Sequence, residues 1–237
     1  MSIKTGYSEL DKLITGMHGG DLILVASRPA MGKTGLVLNI VDYLSVCREV
    51  PCLFCSMEMS RDQLKRKLIN IGGDGTYEKI RDDEAPLYIM DDASITLDEI
   101  CSVAREYKAK HNIELVVVDY LQLIYSSSKG ESRISLLDKI VKGLKTLALE
   151  LDLPVLVISQ LGRDIEERGD KRPVLSDLRE CISNQDEIDV VMFVYRDAYY
   201  NADSPKASNT AEIIVAKNVH GDTGTVELKF QEGRFFQ

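Results

Sequence analysis

The chain has 237 residues, of which 44% are hydrophobic and 28% charged, and its formal net charge is −9 at pH 7. This composition is that of an ordinary globular protein, and the acidic charge argues against a protein that coats nucleic acid nonspecifically, although it leaves room for a local basic channel. No apolar run is long enough to span a membrane and no hydrophobic signal segment follows Met1, so the sequence predicts a cytoplasmic protein with no membrane partner.

The cysteines and histidines predict no zinc site. The five cysteines are odd in number, and the single C-x-x-C pair, Cys52 and Cys55, lies inside an apolar run without a second pair of ligands. A structural zinc ion needs four ligands, and the three histidines are scattered along the chain. We therefore interpret Cys52 and Cys55 as buried strand residues.

Short apolar runs alternate with helical patterns along the whole chain. Several runs are nearly continuous in Val, Ile and Leu, which is typical of parallel strands buried on both faces. The sequence thus predicts one α/β domain over residues 1–237, with a mostly parallel central sheet covered by helices on both faces. A glycine-containing turn separates the last two strands and predicts a C-terminal antiparallel hairpin. The predicted strands are Asp21–Ala26, Pro51–Met57, Pro86–Met90, Glu114–Asp119, Pro154–Ser159, Asp189–Tyr195, Ala211–Lys217 and Thr225–Phe230.

The first predicted strand leads through a tight loop into a helix that begins near Gly35. This order is typical of a P-loop, in which backbone N–H groups and a helix N-terminus bind phosphate. Lys33 would contact the β- and γ-phosphates and the Thr34 hydroxyl would bind Mg²⁺, although Ser27 stands where the motif has its first glycine. The sequence therefore predicts a nucleoside-triphosphate site. Its predicted nucleotide-binding residues are Arg28, Pro29, Ala30, Met31, Gly32, Lys33, Thr34 and Gly35.

Polar side chains stand at the ends of three later strands, where open parallel sheets bind their ligands. Glu58 follows the second strand and could polarise the water that attacks the γ-phosphate, or could be a solvated residue at the start of a helix. Asp119 ends the fourth strand, which favours Mg²⁺ binding over a turn. Gln160 follows the fifth strand and could sense the γ-phosphate or lie on the surface.

Two helices are predicted between these strands. Thr96 and Glu99 form a capping-box pattern, which predicts a helix that runs to about Lys110. Six apolar residues then recur at helical spacing and predict a second helix. They are Ile134, Leu137, Val141, Leu144, Ala148 and Leu151.

Basic and acidic residues are interleaved in the loop after Gln160, over residues 161–173. Such mixed charge usually marks a solvated loop. Contact with a phosphate backbone is the alternative, because the loop directly follows the possible γ-phosphate sensor. Arg163 is the first basic residue of the loop and the candidate for that contact.

Together these residues resemble the C-terminal motor domain of DnaB-family replicative helicases, whose fold is RecA-like. The matching runs occur in family order and cover essentially the whole chain, and Arg-Pro-x-Met-Gly-Lys-Thr with Asp-Tyr-Leu-Gln-Leu is highly specific. The family also tolerates a residue other than glycine at the position of Ser27. The runs are Thr5–Asp11, Arg28–Thr34, Ser56–Ser60, Val118–Ile124, Ser159–Leu161, Lys171–Glu180, Tyr195–Asp197 and Ala211–Ile214.

The resemblance implies roles that spacing leaves open. It implies that Glu58 is the catalytic carboxylate, Asp119 the Mg²⁺ partner and Gln160 the γ-phosphate sensor of an ATPase. It also implies that Arg179 and Glu180 belong to a loop that contacts single-stranded DNA in a central channel.

The resemblance further implies a ring of six identical subunits with each ATP between two of them, and a primase or helicase loader as a possible partner. Lys217 would reach into the neighbour's site. Val219 stands where the family has an arginine finger, a group that contributes about 10³- to 10⁵-fold in rate in other phosphate-transferring enzymes. Ile182 replaces a glycine of the DNA loop, whose bare backbone could approach a phosphate closely.

Three functions follow from these patterns. The first is an ATP-dependent DNA helicase motor domain that translocates on single-stranded DNA during replication. The second is a DnaB-like ATPase that binds or regulates a replication or recombination partner without unwinding. Val219, Ile182 and the start of the chain at the motor domain favour this second function. The third, a RecA-type recombinase or clock-type ATPase, is disfavoured by the two specific runs. We favour the first.

Overall fold

The predicted strands are all found in the part of the chain that the computed structural model describes, which is residues 2–73, 75–125, 131–201 and 209–237 without the side chain of Glu180. Each lies within one residue of its predicted ends, whereas three short strands, Ser2–Ile3, Met17–His18 and Arg234–Phe236, were not predicted. The strands are β1 (Ser2–Ile3), β2 (Met17–His18), β3 (Leu22–Ser27), β4 (Cys52–Ser56), β5 (Leu87–Asp91), β6 (Leu115–Asp119), β7 (Val155–Gln160), β8 (Val190–Tyr195), β9 (Thr210–Asn218), β10 (Gly224–Gln231) and β11 (Arg234–Phe236).

Strands β3 to β11 form one sheet in the order β11-β10-β9-β8-β3-β7-β6-β4-β5. All neighbours from β8 to β5 are parallel, whereas β9, β10 and β11 are antiparallel to their neighbours. Strands β1 and β2 form a separate antiparallel pair. The mostly parallel sheet and the C-terminal hairpin are therefore confirmed. The carboxyl ends of β3, β4, β6 and β7 lie at one edge of the sheet.

Helices connect the parallel strands. They are α1 (Ser8–Ile14), α2 (Lys33–Val41), α3 (Arg61–Ile71), α4 (Thr76–Arg81), α5 (Leu97–His111), α6 (Arg133–Leu151) and α7 (Asp197–Tyr200). A π-helical segment, Asp42–Cys47, extends α2, and short 3-10 helices span Leu121–Leu123, Asp164–Glu167 and Leu175–Glu180. Among the helices of the described ranges, none has the length and apolar composition needed to cross a membrane.

Local sequence signals account for where two helices begin. The predicted capping box opens α5, because the Thr96 N–H donates to Glu99 Oε2 at 2.8 Å and the Glu99 N–H donates to Thr96 Oγ1 at 3.3 Å. A second capping box, which was not predicted, opens α3 with Ser60 and Gln63. The side chains of both boxes satisfy N–H groups that a helix start would otherwise leave unpaired.

The two faces of the sheet carry separate apolar cores. Ile23 and Val25 of β3 pack with residues of α1, α2 and α3, whereas Leu22 and Leu24 pack with residues of α5 and α6. Every residue of β3, β4, β6 and β8 is buried, which explains their nearly continuous apolar sequences. The prediction that Cys52 and Cys55 are buried is confirmed. Four of the six predicted residues of α6 are buried, namely Leu137, Val141, Leu144 and Ala148, whereas Ile134 is 38% exposed and Leu151 is half-buried.

Candidate nucleotide-binding site

The loop between β3 and α2 has a backbone shape that suits phosphate. Gly32 adopts a φ of +101°, in the left-handed region that favours glycine, and a Cβ at this position would lie 3.1 Å from Phe235 Cζ. A Cβ at Gly35 would lie 2.9 Å from the carbonyl oxygen of Gly233. No described side chain caps the N-terminus of α2. Its first N–H groups are therefore free to bind an anion.

A cavity of about 250 Å³ lies at this loop. The predicted residues Lys33, Thr34 and Glu58 line it, so the fold brings the end of β4 and the start of α2 to one place. Lys67 of α3 lines it as well and was not predicted. The capping-box pattern at the start of α3 is the sequence signal that could have revealed a helix here. The full lining is Ala30, Gly32, Lys33, Thr34, Gly35, Glu58, Met59 and Lys67.

Asp119 ends β6 with a fully buried carboxylate. Neither oxygen has a hydrogen-bond partner among the described residues, although the Thr34 hydroxyl lies near enough to lower the carboxyl pKa. Burial raises the pKa of Asp119 to about 6; the negative charge of Glu58 adds to the rise and the ammonium of Lys33 opposes it. Buried polar atoms without partners cost free energy, which an ion bound at the carboxylate would offset.

The donors around Asp119 fit the predicted Mg²⁺. A carboxylate and the Thr34 hydroxyl are oxygen ligands, which Mg²⁺ prefers, and this ion usually takes only one or two carboxylates together with substrate phosphates. The described residues hold no cluster of three or more His, Cys, Asp or Glu side chains that could bind a metal without such help. The arrangement therefore suits a metal that arrives with a nucleotide.

Lys33 is the first residue of α2 and is half-buried. Burial lowers the pKa of its ammonium, whereas the nearby carboxylates of Asp119 and Glu58 raise it. Lys67 and Arg28 add to the lowering. The cations of Lys33 and Lys67 and the carboxylate of Glu58 thus line one small cavity, and the buried carboxylate of Asp119 lies close enough to shift the pKa of Lys33.

Gln160 ends β7 opposite Ser27, the last residue of β3. This register brings the predicted γ-phosphate sensor to the same edge of the sheet as the loop. Its backbone pairs with the side chain of Gln122, and its side-chain amide makes no hydrogen bond to the described residues. The amide is therefore available to a ligand.

The other predicted loop residues have different environments. The buried Arg28 donates from Nη1 to the carbonyl oxygen of Leu161 at 2.8 Å and from Nε to Glu166 at 2.9 Å, so its guanidinium holds the loop after β7. Pro29 and Ala30 are exposed and Met31 is buried. Ser27, which stands in the place of the motif's first glycine, is fully buried and donates from Oγ to the carbonyl oxygen of Arg28 at 2.8 Å.

A second cavity of about 390 Å³ was not predicted. The guanidinium carbon of Arg196 lies 3.8 Å from the ring centroid of Phe230. Nη1 of Arg196 donates at 3.2 Å to the carbonyl oxygen of Ala30, in the loop Arg28–Gly32 between β3 and α2, which we call the phosphate loop. Nε of Arg196 is buried without a partner in the described chain, and burial lowers the pKa of the guanidinium. The lining residues are Arg196, Ala198, Asn209, Thr210, Phe230, Gln231 and Glu232.

The predicted DNA-contact residues differ from their basic neighbours. Arg163 and Arg179 are exposed and make no ion pair or hydrogen bond to described residues. In contrast, Arg168 forms a bidentate pair with Asp177, and Arg172 forms one with Glu212. Lys171 donates to two backbone carbonyls. Arg163 and Arg179 are therefore the free cations of this region within the described ranges.

The segment around Arg179 is anchored by its apolar residues. Glu180 ends a 3-10 helix, and its side chain lies outside the described structure. The side chain of Ile182 is fully buried in the core on the α5 and α6 face, and its N–H donates to the carbonyl oxygen of Leu178 at 2.7 Å. Ile182 therefore projects into the core and leaves the outer surface of the segment open.

Lys217 and Val219 lie at the end of β9 and in the turn that follows. Lys217 donates from Nζ to the carbonyl oxygen of Gln185 at 2.7 Å, whereas the side chain of Val219 is 55% exposed. In the isolated chain the predicted trans-acting lysine thus holds the segment that follows Ile182. Val219 offers no charge to a neighbour.

Known proteins resemble this chain over its whole described length. The sequence model of the DnaB-like helicase C terminal domain matches residues 2–84 and 76–236. The replicative DNA helicase DnaB of Leifsonia xyli is 37% identical over 97% of this chain and 54% of its own length. The replicative DNA helicase DnaB of Geobacillus stearothermophilus is 38% identical over 96% of this chain and 54% of its own length. The chain therefore spans about half the length of these curated relatives.

Solved structures agree with the sequence comparison. A DnaB-like replicative helicase, solved in a study of its interactions with primase, superposes with a TM-score of 0.91 at 32% identity, covering all of this chain and 62% of that one. A second solved structure, an ATPase domain, also gives a TM-score of 0.91, at 31% identity, covering all of this chain and 91% of that one. The expected RecA-like α/β fold of helicase ATPase domains is confirmed. The chain belongs to the family of DnaB-like helicase C-terminal domains.

Proposed function

We propose that residues 1–237 form a single ATPase domain, the motor of a replicative DNA helicase. The observation that carries this proposal is the meeting of Lys33, Thr34 and Glu58 around one cavity, beside the buried and unpartnered carboxylate of Asp119. A phosphate-binding loop supplies the anion site, and the four side chains supply the charges that hydrolysis of a nucleoside triphosphate requires. Action in replication also implies the cytoplasmic location predicted from the sequence.

The residues of the cavity take separate roles in this proposal. Lys33 and the N–H groups at the start of α2 bind the β- and γ-phosphates, with Lys67 as a further cation. Glu58 orients the attacking water and accepts its proton. Gln160 contacts the γ-phosphate through its free side-chain amide. Thr34 and Asp119 hold Mg²⁺, which when bound neutralises charge on the phosphates and on Asp119.

The second cavity is suited to the rest of the nucleotide. It adjoins the phosphate loop through the Arg196–Ala30 hydrogen bond, and it is lined by the guanidinium of Arg196, one face of which is stacked on the ring of Phe230. An aromatic ring and a guanidinium plane are the surfaces on which a base stacks. We therefore place the base of ATP between the phosphate loop and β10.

Oligomer formation and DNA binding extend the proposal beyond the isolated chain. We infer that six copies form a ring, with Lys217 reaching the neighbouring subunit's nucleotide after it leaves the Gln185 carbonyl. Arg163, Arg179 and Glu180 would face the central channel and contact the backbone of single-stranded DNA. Since a relative of known structure was studied with primase, we include a primase or a helicase loader among the partners of the whole protein.

A DnaB-like ATPase that binds or regulates a partner without unwinding is the second candidate. The exposed Val219 favours it, because a finger that stabilises transferring phosphate must carry positive charge. Val219→Arg is expected to raise ATP turnover at least about tenfold at protein concentrations where rings form, since charge at this site acts in trans. Val219→Met is the uncharged control. Equal turnover of the two variants would show that another residue already supplies the charge.

Steady-state ATP turnover at rising protein concentration, with and without single-stranded DNA, tests the proposal. A turnover per subunit that rises with both supports a ring-shaped motor on DNA. A turnover per subunit that depends on neither protein concentration nor DNA, together with no unwinding of a forked duplex, supports the second candidate. Absence of both ATP binding and ATP turnover would contradict the two candidates together.

A further inference from the structure

The end of β7 lacks a strand neighbour on one side. The pairing of β6 with β7 stops at Val118 and Val157. On the other side, β3 continues to pair with β7 as far as Ser27 and Gln160. The last residues of β7 thus extend beyond the point where the sheet divides, and Gln160 is the outermost of them.

The backbone of Gln160 faces this gap. In a parallel ladder, the N–H and C=O of one residue point to the same neighbour and those of the next residue point to the opposite one. The N–H of Leu161 donates to the carbonyl oxygen of Ser27 at 3.0 Å, so Leu161 is bonded to β3. Gln160 therefore turns both of its backbone groups toward the side that β6 has left.

The side-chain amide of Gln122 fills the gap. Its Oε1 accepts from the N–H of Gln160 at 3.2 Å, and its Nε2 donates to the carbonyl oxygen of Gln160 at 3.0 Å and to Ser159 Oγ at 2.9 Å. One amide side chain thus makes both bonds that a neighbouring strand would make. Glutamine carries a donor and an acceptor at the same reach, which few other side chains offer.

Gln122 is itself held in place from two directions. It lies in the 3-10 helix Leu121–Leu123, directly after the buried Leu121 and three residues after Asp119. Nη2 of Arg133, the first residue of α6, donates to the carbonyl oxygen of Gln122 at 3.3 Å. The amide of Gln122 therefore acts as a fixed support for Gln160.

We propose that Gln122 is the positioning residue of the γ-phosphate sensor, because it fixes the backbone from which the side chain of Gln160 reaches the nucleotide. This inference rests on the proposed function of Gln160. Gln122 is not among the residues that line the phosphate-loop cavity, and its amide bonds to Ser159 and Gln160 at the end of β7, so we expect it to act on hydrolysis through the position of Gln160. A displacement of a reacting or orienting group by about 1 Å is enough to cost about 100-fold in rate.

Gln122→Leu removes the donor and the acceptor at nearly constant volume. We expect kcat for ATP to fall at least about tenfold while the Kd for ADP, which lacks the γ-phosphate, changes less than about twofold. Gln237→Leu is the matched control, because it removes a glutamine amide that accepts from the backbone N–H of Ser8, away from β7 and from the phosphate-loop cavity. The control is expected to keep both kcat and the ADP affinity.

A double-mutant cycle separates positioning from a general loss of stability. Gln160→Ala should lower kcat by itself, and adding Gln122→Leu to it should lower kcat no further, because the supported side chain is already absent. Additive losses would overturn the proposal, since they would mean that Gln122 acts by another route. An unchanged kcat in Gln122→Leu, with a reduced kcat in Gln160→Ala, would overturn it as well.

Amide hydrogen exchange tests the contact without any need for turnover. In Gln122→Leu the N–H of Gln160 loses its acceptor, so its exchange should quicken at least about tenfold, while amides of the middle of β7 keep their wild-type rates. Wild-type exchange at Gln160 would overturn the proposal. Absence of ATP hydrolysis by the wild-type chain would instead contradict the proposed function, and this exchange measurement would still decide the role of Gln122.

Discussion

The aspartates at the two ends of the parallel strands differ in whether their carboxylates have partners. At the amino ends, Asp21 lies 2.8 Å from His220 Nε2 and accepts from the N–H of His18 at 2.8 Å, and Asp189 pairs with Lys145 at 2.7 Å. At the carboxyl ends, the carboxylate of Asp119 is more deeply buried and has no hydrogen-bond partner in the described structure. The paired carboxylates connect elements of the fold, whereas a buried carboxylate without a partner is a candidate ligand-binding group.

Removal of a charge at the carboxyl ends should affect activity and leave the fold intact. Lys33→Ala is expected to lower ATP turnover by about 100- to 1000-fold or more, because it removes the cation that we propose binds the γ-phosphate. The free energy of unfolding should change by less than about 1 kcal/mol. Turnover and urea unfolding measured on the same preparation check both statements.

The control for Lys33→Ala is Lys142→Ala, which removes an exposed lysine of α6. It should preserve both turnover and stability. Wild-type turnover in Lys33→Ala would remove the basis for the proposed nucleotide site.

Removal of a charge at the amino ends should destabilise the fold and leave ATP turnover intact. Asp189→Ala leaves Lys145 without its carboxylate and the N–H of Leu22 without its acceptor. Both groups are largely shielded from water, so the free energy of unfolding should fall by about 3 kcal/mol. ATP turnover at temperatures well below unfolding should stay near that of the wild type. The double variant Asp189→Ala with Lys145→Met should recover part of the loss, because it also removes the stranded cation. No recovery would mean that the hydrogen bond to Leu22 carries the stability.

Asp119→Asn should separate activity from stability most clearly, because it is expected to lower ATP turnover and to raise the free energy of unfolding. The pKa of Asp119 in the folded protein is about 6, above its ordinary value, so folding disfavours the ionised carboxylate. This destabilisation is absent below pH 4, grows between pH 4 and pH 6 and is complete above pH 6. The nucleotide-free variant should therefore be more stable than the wild type by about 3 kcal/mol at pH 7 and about equally stable at pH 4.

Urea unfolding of Asp119→Asn and the wild type at both pH values, without nucleotide or Mg²⁺, checks this difference. ATP turnover of the variant should fall by about 100-fold, because it loses the anionic ligand that we propose for Mg²⁺. A variant that is less stable than the wild type at pH 7 would show that the buried carboxylate is satisfied in the folded protein.

The smallest effect is expected at the exposed cations. Arg179→Ala should weaken binding to single-stranded DNA by about three- to tenfold and make the dependence of log K on log salt shallower by about 0.7. Arg48→Ala removes an exposed arginine near the amino ends of the strands and is the matched control. Equal binding by the two variants at two salt concentrations would exclude Arg179 from the DNA surface.

The sequence predicted the parts of the fold and site that are local. Each buried strand is a continuous apolar run, and the phosphate loop with its glycines is contiguous, so both can be recognised without the tertiary structure. Glu58, Asp119 and Gln160 were predicted because each follows a recognisable strand and the carboxyl ends of parallel strands share an edge.

Other residues beside the phosphate loop were not predicted from the sequence, because their positions depend on strand order and on the direction of their side chains. Arg196 reaches the phosphate loop only because β8 pairs with β3, an arrangement that no local pattern specifies. Phe230 lies next to Gly32 of the phosphate loop because β10 and β11 fold back beside that loop. The direction of Arg28, which bonds to the loop after β7, depends likewise on packing between distant segments.

The aromatic position at Phe230, beside the phosphate loop, is suited to a tryptophan fluorescence probe. The sequence contains no tryptophan, so an indole introduced at position 230 would be the only one in the chain. It would lie beside Gly32 and beneath the guanidinium of Arg196. Its emission would respond to the polarity of that small volume alone and would give an optical reading of the loop, without a label attached to the protein.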